Sequence, residues 1–159
     1  MRNLEKRVAL EEALKQTGVA NQVEITRLDV TEAAEMKGVV DAILSHPNGR
    51  LDAVVHNAGV AVEAAFEDLP EPQMRRVMET NFFGVLELTR LLLPQFRKQR
   101  RGRIVIVSSD SAFSGEPANS IYCASKWAIE GWAESLAYEI EPFGIEIVLV
   151  EPAQYRTEI

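Results

Sequence analysis

The sequence predicts an α/β domain in which a parallel sheet is layered between helices on both faces, and two observations carry that prediction. Three short runs, 51–56 (LDAVVH), 103–107 (RIVIV) and 145–150 (IEIVLV), are rich in aliphatic residues, as strands buried in a parallel sheet are. Each is separated from the next by a longer stretch with helical periodicity, the alternation that parallel strands and their crossover helices require.

Taken in order, residues 3–17 place Leu4, Val8, Leu10 and Leu14 among glutamates and basic side chains, an amphipathic helix closed by Gly18. Residues 23–30 (VEITRLDV) alternate like a strand, and Thr31 is placed to cap a helix over 32–45. Pro47, Asn48 and Gly49 break that helix. The strand 51–56 runs into Asn57, Ala58 and Gly59, small residues that either make a turn or let a flat, extended ligand approach the backbone. Residues 70–100 read as one long helix, with Pro72 in its first turn and Pro94 kinking it near the end. Asn81 sits mid-helix, where its propensity is poor and its amide must find partners. A further helix over 121–141 is stopped by Pro142 and Gly144, and the last strand leads into Pro152, Ala153 and Thr157.

The chemistry concentrates in SSDSAFSGEPANSIYCASK, residues 108–126. Tyr122 and Lys126 are four apart in a helical stretch, so both leave one face with Cβ atoms about 5–6 Å apart. An ammonium held that close favours the phenolate and suits the tyrosine for proton exchange with an alcohol or carbonyl oxygen. The strand 103–107 delivers Ser108, Ser109 and Ser111 to its carboxyl end, where open α/β sheets bind ligands and a hydroxyl can orient a substrate oxygen.

This region resembles the short-chain dehydrogenase/reductase family, whose signature is a serine at a strand end followed thirteen residues later by Tyr-x-x-x-Lys, the spacing of Ser109 to Tyr122 and Lys126. The resemblance implies a Rossmann-like fold in which Tyr122 is the general acid/base, Ser109 holds the substrate oxygen, and Lys126 binds the nicotinamide ribose. It makes Asn81 the fourth member of the site, bending its helix, although a satisfied buried amide fits Asn81 equally. It also implies that Asn57, Ala58 and Gly59 lie along the cofactor ribose and that Asp29 and Val30 contact the adenine. Pro152, Ala153 and Thr157 would meet the nicotinamide and phosphates, with Ala153 standing where relatives usually have glycine. Arg2, near a position where NADP-preferring relatives carry an arginine, inclines the cofactor reading to NADP(H) over NAD(H). Relatives commonly pair helices equivalent to 70–100 and 121–141 across a homodimer or homotetramer.

The family also carries a Thr-Gly-x-x-x-Gly-x-Gly turn that this sequence does not contain. The whole chain, 1–159, is therefore expected to be a partial, truncated domain lacking the first two strands and the last strand. Two functions follow: an NAD(P)-dependent oxidoreductase acting on a small-molecule alcohol or carbonyl, or an inactive fragment serving as a helix-mediated interaction module. For the isolated chain, weak dinucleotide binding, poor solubility or strand borrowing is expected, with 23–29 unpaired or displaced.

A net charge of −7 argues against nucleic acid or an anionic membrane as partner. The basic run 97–103 is the exception, and it suits the C-terminus of a helix. No stretch approaches the roughly 20 apolar residues of a membrane span, and the first residues lack a signal-peptide core, so a cytoplasmic location is expected. Cys123 is the only cysteine, and His46 and His56 do not fall at a ligand spacing, so no metal is assigned.

Overall fold

The computed structural model describes residues 5, 7–46 and 49–153. Arg2 and Thr157 lie outside the described residues. Three parallel strands, β1 (Ala53–His56), β2 (Gly102–Val107) and β3 (Ile145–Val150), form one open sheet in the order β1-β2-β3. Ala53 aligns with Arg103, and Gly102 with Ile145, so all three carboxyl ends reach the same edge of the sheet. The described residues also form five α-helices, α1 (Arg7–Gln16), α2 (Ala33–Leu44), α3 (Glu71–Met78), α4 (Gly84–Gln99) and α5 (Ser120–Ile140).

The core forms because helical and strand periodicities present matching apolar faces. In α4 the buried side chains include Val85, Leu88, Leu92 and Phe96, and in α5 Ile129, Ala133, Leu136 and Ile140, three or four residues apart as one helix face demands. They join Met36 and Val40 of α2 against Ile104 and Ile106 of β2 in a single cluster. Each large aliphatic side chain removed from water in this way contributes about 1.5–3 kcal/mol.

Strand residues alternate. Val54, Ile104, Ile106, Ile147 and Leu149 belong to or pack on that cluster, whereas Val55, Arg103, Glu146, Val148 and Val150 on the opposite face are exposed. A two-residue period places successive side chains on opposite faces, so the helices packed on Ile104 and Ile106 leave the second face of β1 and β3 accessible among the described residues.

Residues 23–29 are unpaired, as expected: despite their strand-like alternation they join no ladder with the three strands. Instead, Leu28 packs on the core and the Asp29 amide donates to Glu35 Oε2 at 2.9 Å. Thr31 does not cap α2: its hydroxyl and amide both bond Asp29 Oδ1, and Glu32 occupies the N-cap position without a side-chain bond. Among the described residues the first helix ends at Gln16 and contains no buried residue.

The long rod 70–100 is two helices, divided by a π turn at Glu79–Phe83. There the Gly84 amide bonds Glu79 O, five residues back, which inserts one residue into the helical spiral. The interruption falls at Asn81, while α4 runs through Pro94 to Gln99. Gly84 permits a close crossing, since a Cβ there would lie 2.6 Å from Val30 O.

Candidate active site

The carboxyl ends of the strands open into a cavity of about 490 Å³, within the usual range for small-molecule sites. β1 contributes the following residues Asn57 and Gly59, β2 the serines 108, 109 and 111, α5 Tyr122 and Lys126, and the segment after β3 contributes Pro152 and Ala153. The structure therefore brings together most of the sequence-predicted site.

Tyr122 and Lys126 share one face of α5, with Lys126 Nζ 5.6 Å from the centroid of the tyrosine ring. Lys126 is buried, and its ammonium donates to Val107 O at 2.9 Å, so the end of β2 fixes its position. Burial pushes its pKa below the usual lysine range, and the Glu130 carboxylate opposes that effect. Ser109 is extended (φ −168°, ψ 158°), and its Oγ accepts from the Ser111 amide. These groups place a phenol, an ammonium and hydroxyls around one space.

Asn81 does not line the cavity but braces it from behind. Its Oδ1 accepts from the Val60 amide at 2.8 Å, and its Nδ2 donates to Val60 O at 2.9 Å and to Ser125 Oγ at 3.0 Å. Ser125 Oγ donates onward to Tyr122 O at 2.7 Å. Asn81 is thus a fully engaged buried amide that ties the loop after β1 to the tyrosine turn of α5. The π turn is what aims it there.

Ala58, Asp29 and Val30 are not among the cavity residues. Val30 packs at the start of α4 beside Gly84, and the Asp29 carboxylate is occupied by Thr31. Three further contributors escaped the sequence reading. Ser125 and the backbone of Val60 complete the Asn81 brace. Glu116 accepts from Ser111 Oγ and Asn119 Nδ2, both at 2.8 Å, and those bonds, Asn119 first, hold its carboxyl below the usual range. The only sequence signal for this cluster was polar residues at 111, 116 and 119 in a loop.

His56, at the end of β1, is buried behind the cavity with Nε2 2.9 Å from Thr89 Oγ1. Burial lowers its pKa to about 4, so the ring is neutral near pH 7.

The family model for short chain dehydrogenase matches residues 1–159. The chain belongs to the short-chain dehydrogenase family. It is 40% identical over 158 residues to the uncharacterized oxidoreductase YusZ of Bacillus subtilis strain 168, covering 99% of this chain and 56% of that protein. It is also 39% identical over 136 residues to 3-ketodihydrosphingosine reductase of Bacteroides thetaiotaomicron, covering 86% of this chain and 50% of that one.

A solved short-chain dehydrogenase from Streptomyces avermitilis superimposes with a TM-score of 0.89 at 36% identity, covering 100% of this chain and 56% of that structure. ElxO with NADP bound gives a TM-score of 0.92 at 26% identity, covering 99% of this chain and 63% of that structure. This short-chain dehydrogenase therefore spans about half the length of the curated relatives it matches. No described helix is long and apolar enough to cross a membrane.

Proposed function

We propose that the protein acts as an NAD(P)-dependent oxidoreductase interconverting an alcohol and a carbonyl, with Tyr122 as general acid/base. The observation that carries this reading is the convergence of Ser109, Tyr122 and Lys126 on one cavity at the carboxyl edge of a parallel sheet. A nicotinamide dinucleotide, when bound, supplies or takes the hydride. The donor set suits such a group: Asn57, Gly59, Pro152 and Ala153 form a rim with a small-residue approach, and the Lys126 ammonium stands beside Tyr122.

In the oxidative direction the Tyr122 oxygen accepts the alcohol proton, and in the reductive direction it returns a proton to the carbonyl oxygen. Ser109 orients that oxygen, Lys126 favours the phenolate and would hold the cofactor ribose, and Asn81 positions the loop and α5 around them. The NADP-bound relative supports NADP(H) as the first cofactor to test. The name of the Bacteroides relative suggests a long-chain ketone or alcohol as the first substrate. Exposed Phe83, Trp127 and Tyr138 on the helices support a homodimer or homotetramer.

The test follows NADPH oxidation at 340 nm with 3-ketodihydrosphingosine, comparing wild type with Tyr122→Phe and Ser109→Ala. Loss of turnover in Tyr122→Phe with NADPH binding retained supports the reading. Equal turnover in wild type and Tyr122→Phe overturns it.

A further inference from the structure

We propose that the cavity takes a cationic substrate, an alcohol or ketone with an ammonium group on the carbon beside the reacting one, and that Glu116 is the specificity-determining residue that receives the ammonium. The inference rests on the oxidoreductase reading of the same cavity and names its substrate class. Three carboxylates line the cavity, those of Glu63, Asp110 and Glu116, against the single ammonium of Lys126. Among the described residues no lysine, arginine or histidine forms an ion pair with any of the three. Lys126 is committed elsewhere, donating to Val107 O beside the Tyr122 ring. The space left for a substrate is therefore negative, and a cleft lined by one sign of charge concentrates ligands of the other.

Glu116 stands where such a charge can select. Ser111 Oγ is 3.2 Å from Ser109 Oγ and donates to Glu116 Oε1 at 2.8 Å, so the carboxylate lies two hydrogen bonds from the hydroxyl that orients the reacting oxygen. Asp110 Oδ1 is one bond away, at 3.1 Å. Glu116 is a fixed anion: Ser111 holds one oxygen and Asn119 Nδ2 the other, and these bonds, Asn119 first, keep its carboxyl below the usual range. Each oxygen still has a lone pair to offer. Two more cavity residues carry a buried oxygen with no partner among the described residues, Ser108 Oγ and Asn119 Oδ1, and the asparagine oxygen can only accept. A wall so rich in acceptors suits a group with three N–H donors and no lone pair. The ammonium takes no part in the transfer: in oxidation the alcohol carbon gives its hydride to NADP+, the O–H proton goes to Tyr122, and the amine stays protonated.

The discriminating measurement is kcat/KM with NADP+ for 1-amino-2-decanol against 3-undecanol, in which a methyl replaces the ammonium and the tail is the same, at about pH 7.5, where an aliphatic amine is charged. Wild type should prefer the amino alcohol by about 5- to 30-fold, the effect of one charged hydrogen bond in a half-exposed site. Glu116→Gln, which keeps the shape and one acceptor oxygen but removes the charge, should lower that ratio by at least about threefold. Glu63→Gln, at an exposed position, gives an independent variant that should lower it by a smaller factor. Because the ratio is taken within each variant, a general loss of activity cancels.

A wild-type ratio below about fivefold, or the same ratio in wild type and Glu116→Gln, overturns the proposal. Turnover that is unchanged in Tyr122→Phe would instead overturn the oxidoreductase reading beneath it. A second readout needs no turnover: by calorimetry wild type should bind 1-amino-2-decanol at least about fivefold more tightly than 3-undecanol, and Glu116→Gln should lose most of that preference. Equal binding of the two alcohols by wild type also overturns the substrate class.

Discussion

Replacing His56 by asparagine should flatten the dependence of stability on pH. The imidazole is buried at the end of β1, and burial holds its pKa at about 4 against an ordinary value of 6.5. Above pH 6.5 both folded and unfolded chains carry the neutral ring, and its stabilising contribution is fully present. As pH falls below 6.5 the unfolded chain takes up a proton that the folded chain refuses until about pH 4, so stability is lost across that window. At about 1.36 kcal/mol for each pH unit, the full loss by pH 4 is about 3 kcal/mol. At about pH 5.5 it is about 1.4 kcal/mol, a tenfold change in the unfolding equilibrium.

The assay is urea unfolding followed by tryptophan fluorescence at about pH 8 and about pH 5.5, for wild type and His56→Asn. The variant has its own baseline stability, since the contact with Thr89 Oγ1 changes, but only the difference between the two pH values enters the comparison. Wild type should lose about 1.4 kcal/mol more than the variant between those conditions. Slopes equal to within about 0.4 kcal/mol would refute the inference that burial keeps this ring neutral.

Lys126→Ala should impair both turnover and cofactor binding, unlike Tyr122→Phe, and calorimetry with NADPH beside the 340 nm assay separates the two. Asn81→Leu should lower stability by about 3 kcal/mol or more in urea unfolding, because Val60 and Ser125 lose their buried partners at once. Gly144→Ala should cost about 1–3 kcal/mol, since Gly144 has φ 69° and an added Cβ would meet Arg100 O at 2.6 Å. Gly18→Ala, with a similar φ of 72° but nothing within 4 Å, should cost only the conformational share, about 1 kcal/mol, so the two thermal midpoints should differ. Light scattering should give a mass above that of one chain if the exposed aromatics on the helices are an association surface.

The sequence alone determined the elements whose signals are local. The runs at β1, β2 and β3, the helix breakers at Pro142 and Gly144, and the placement of Tyr122 and Lys126 on one face of α5 follow from side-chain period and residue type. The tertiary structure decided whatever depends on a distant partner. Residues 23–29 were expected to lack a partner strand, but where they go instead, with Leu28 on the core and the Asp29 amide on Glu35, only the fold shows. By its residue type Asn81 announced a polar group in need of partners, and by resemblance a site member that bends its helix. That Val60 and Ser125 satisfy it, and that the helix widens into a π turn to aim it, depends on packing between segments 21 and 44 residues away. The contact of Glu116 with Ser111 was hidden for the same reason, because only the folded loop brings that carboxylate to 2.8 Å from the serine hydroxyl.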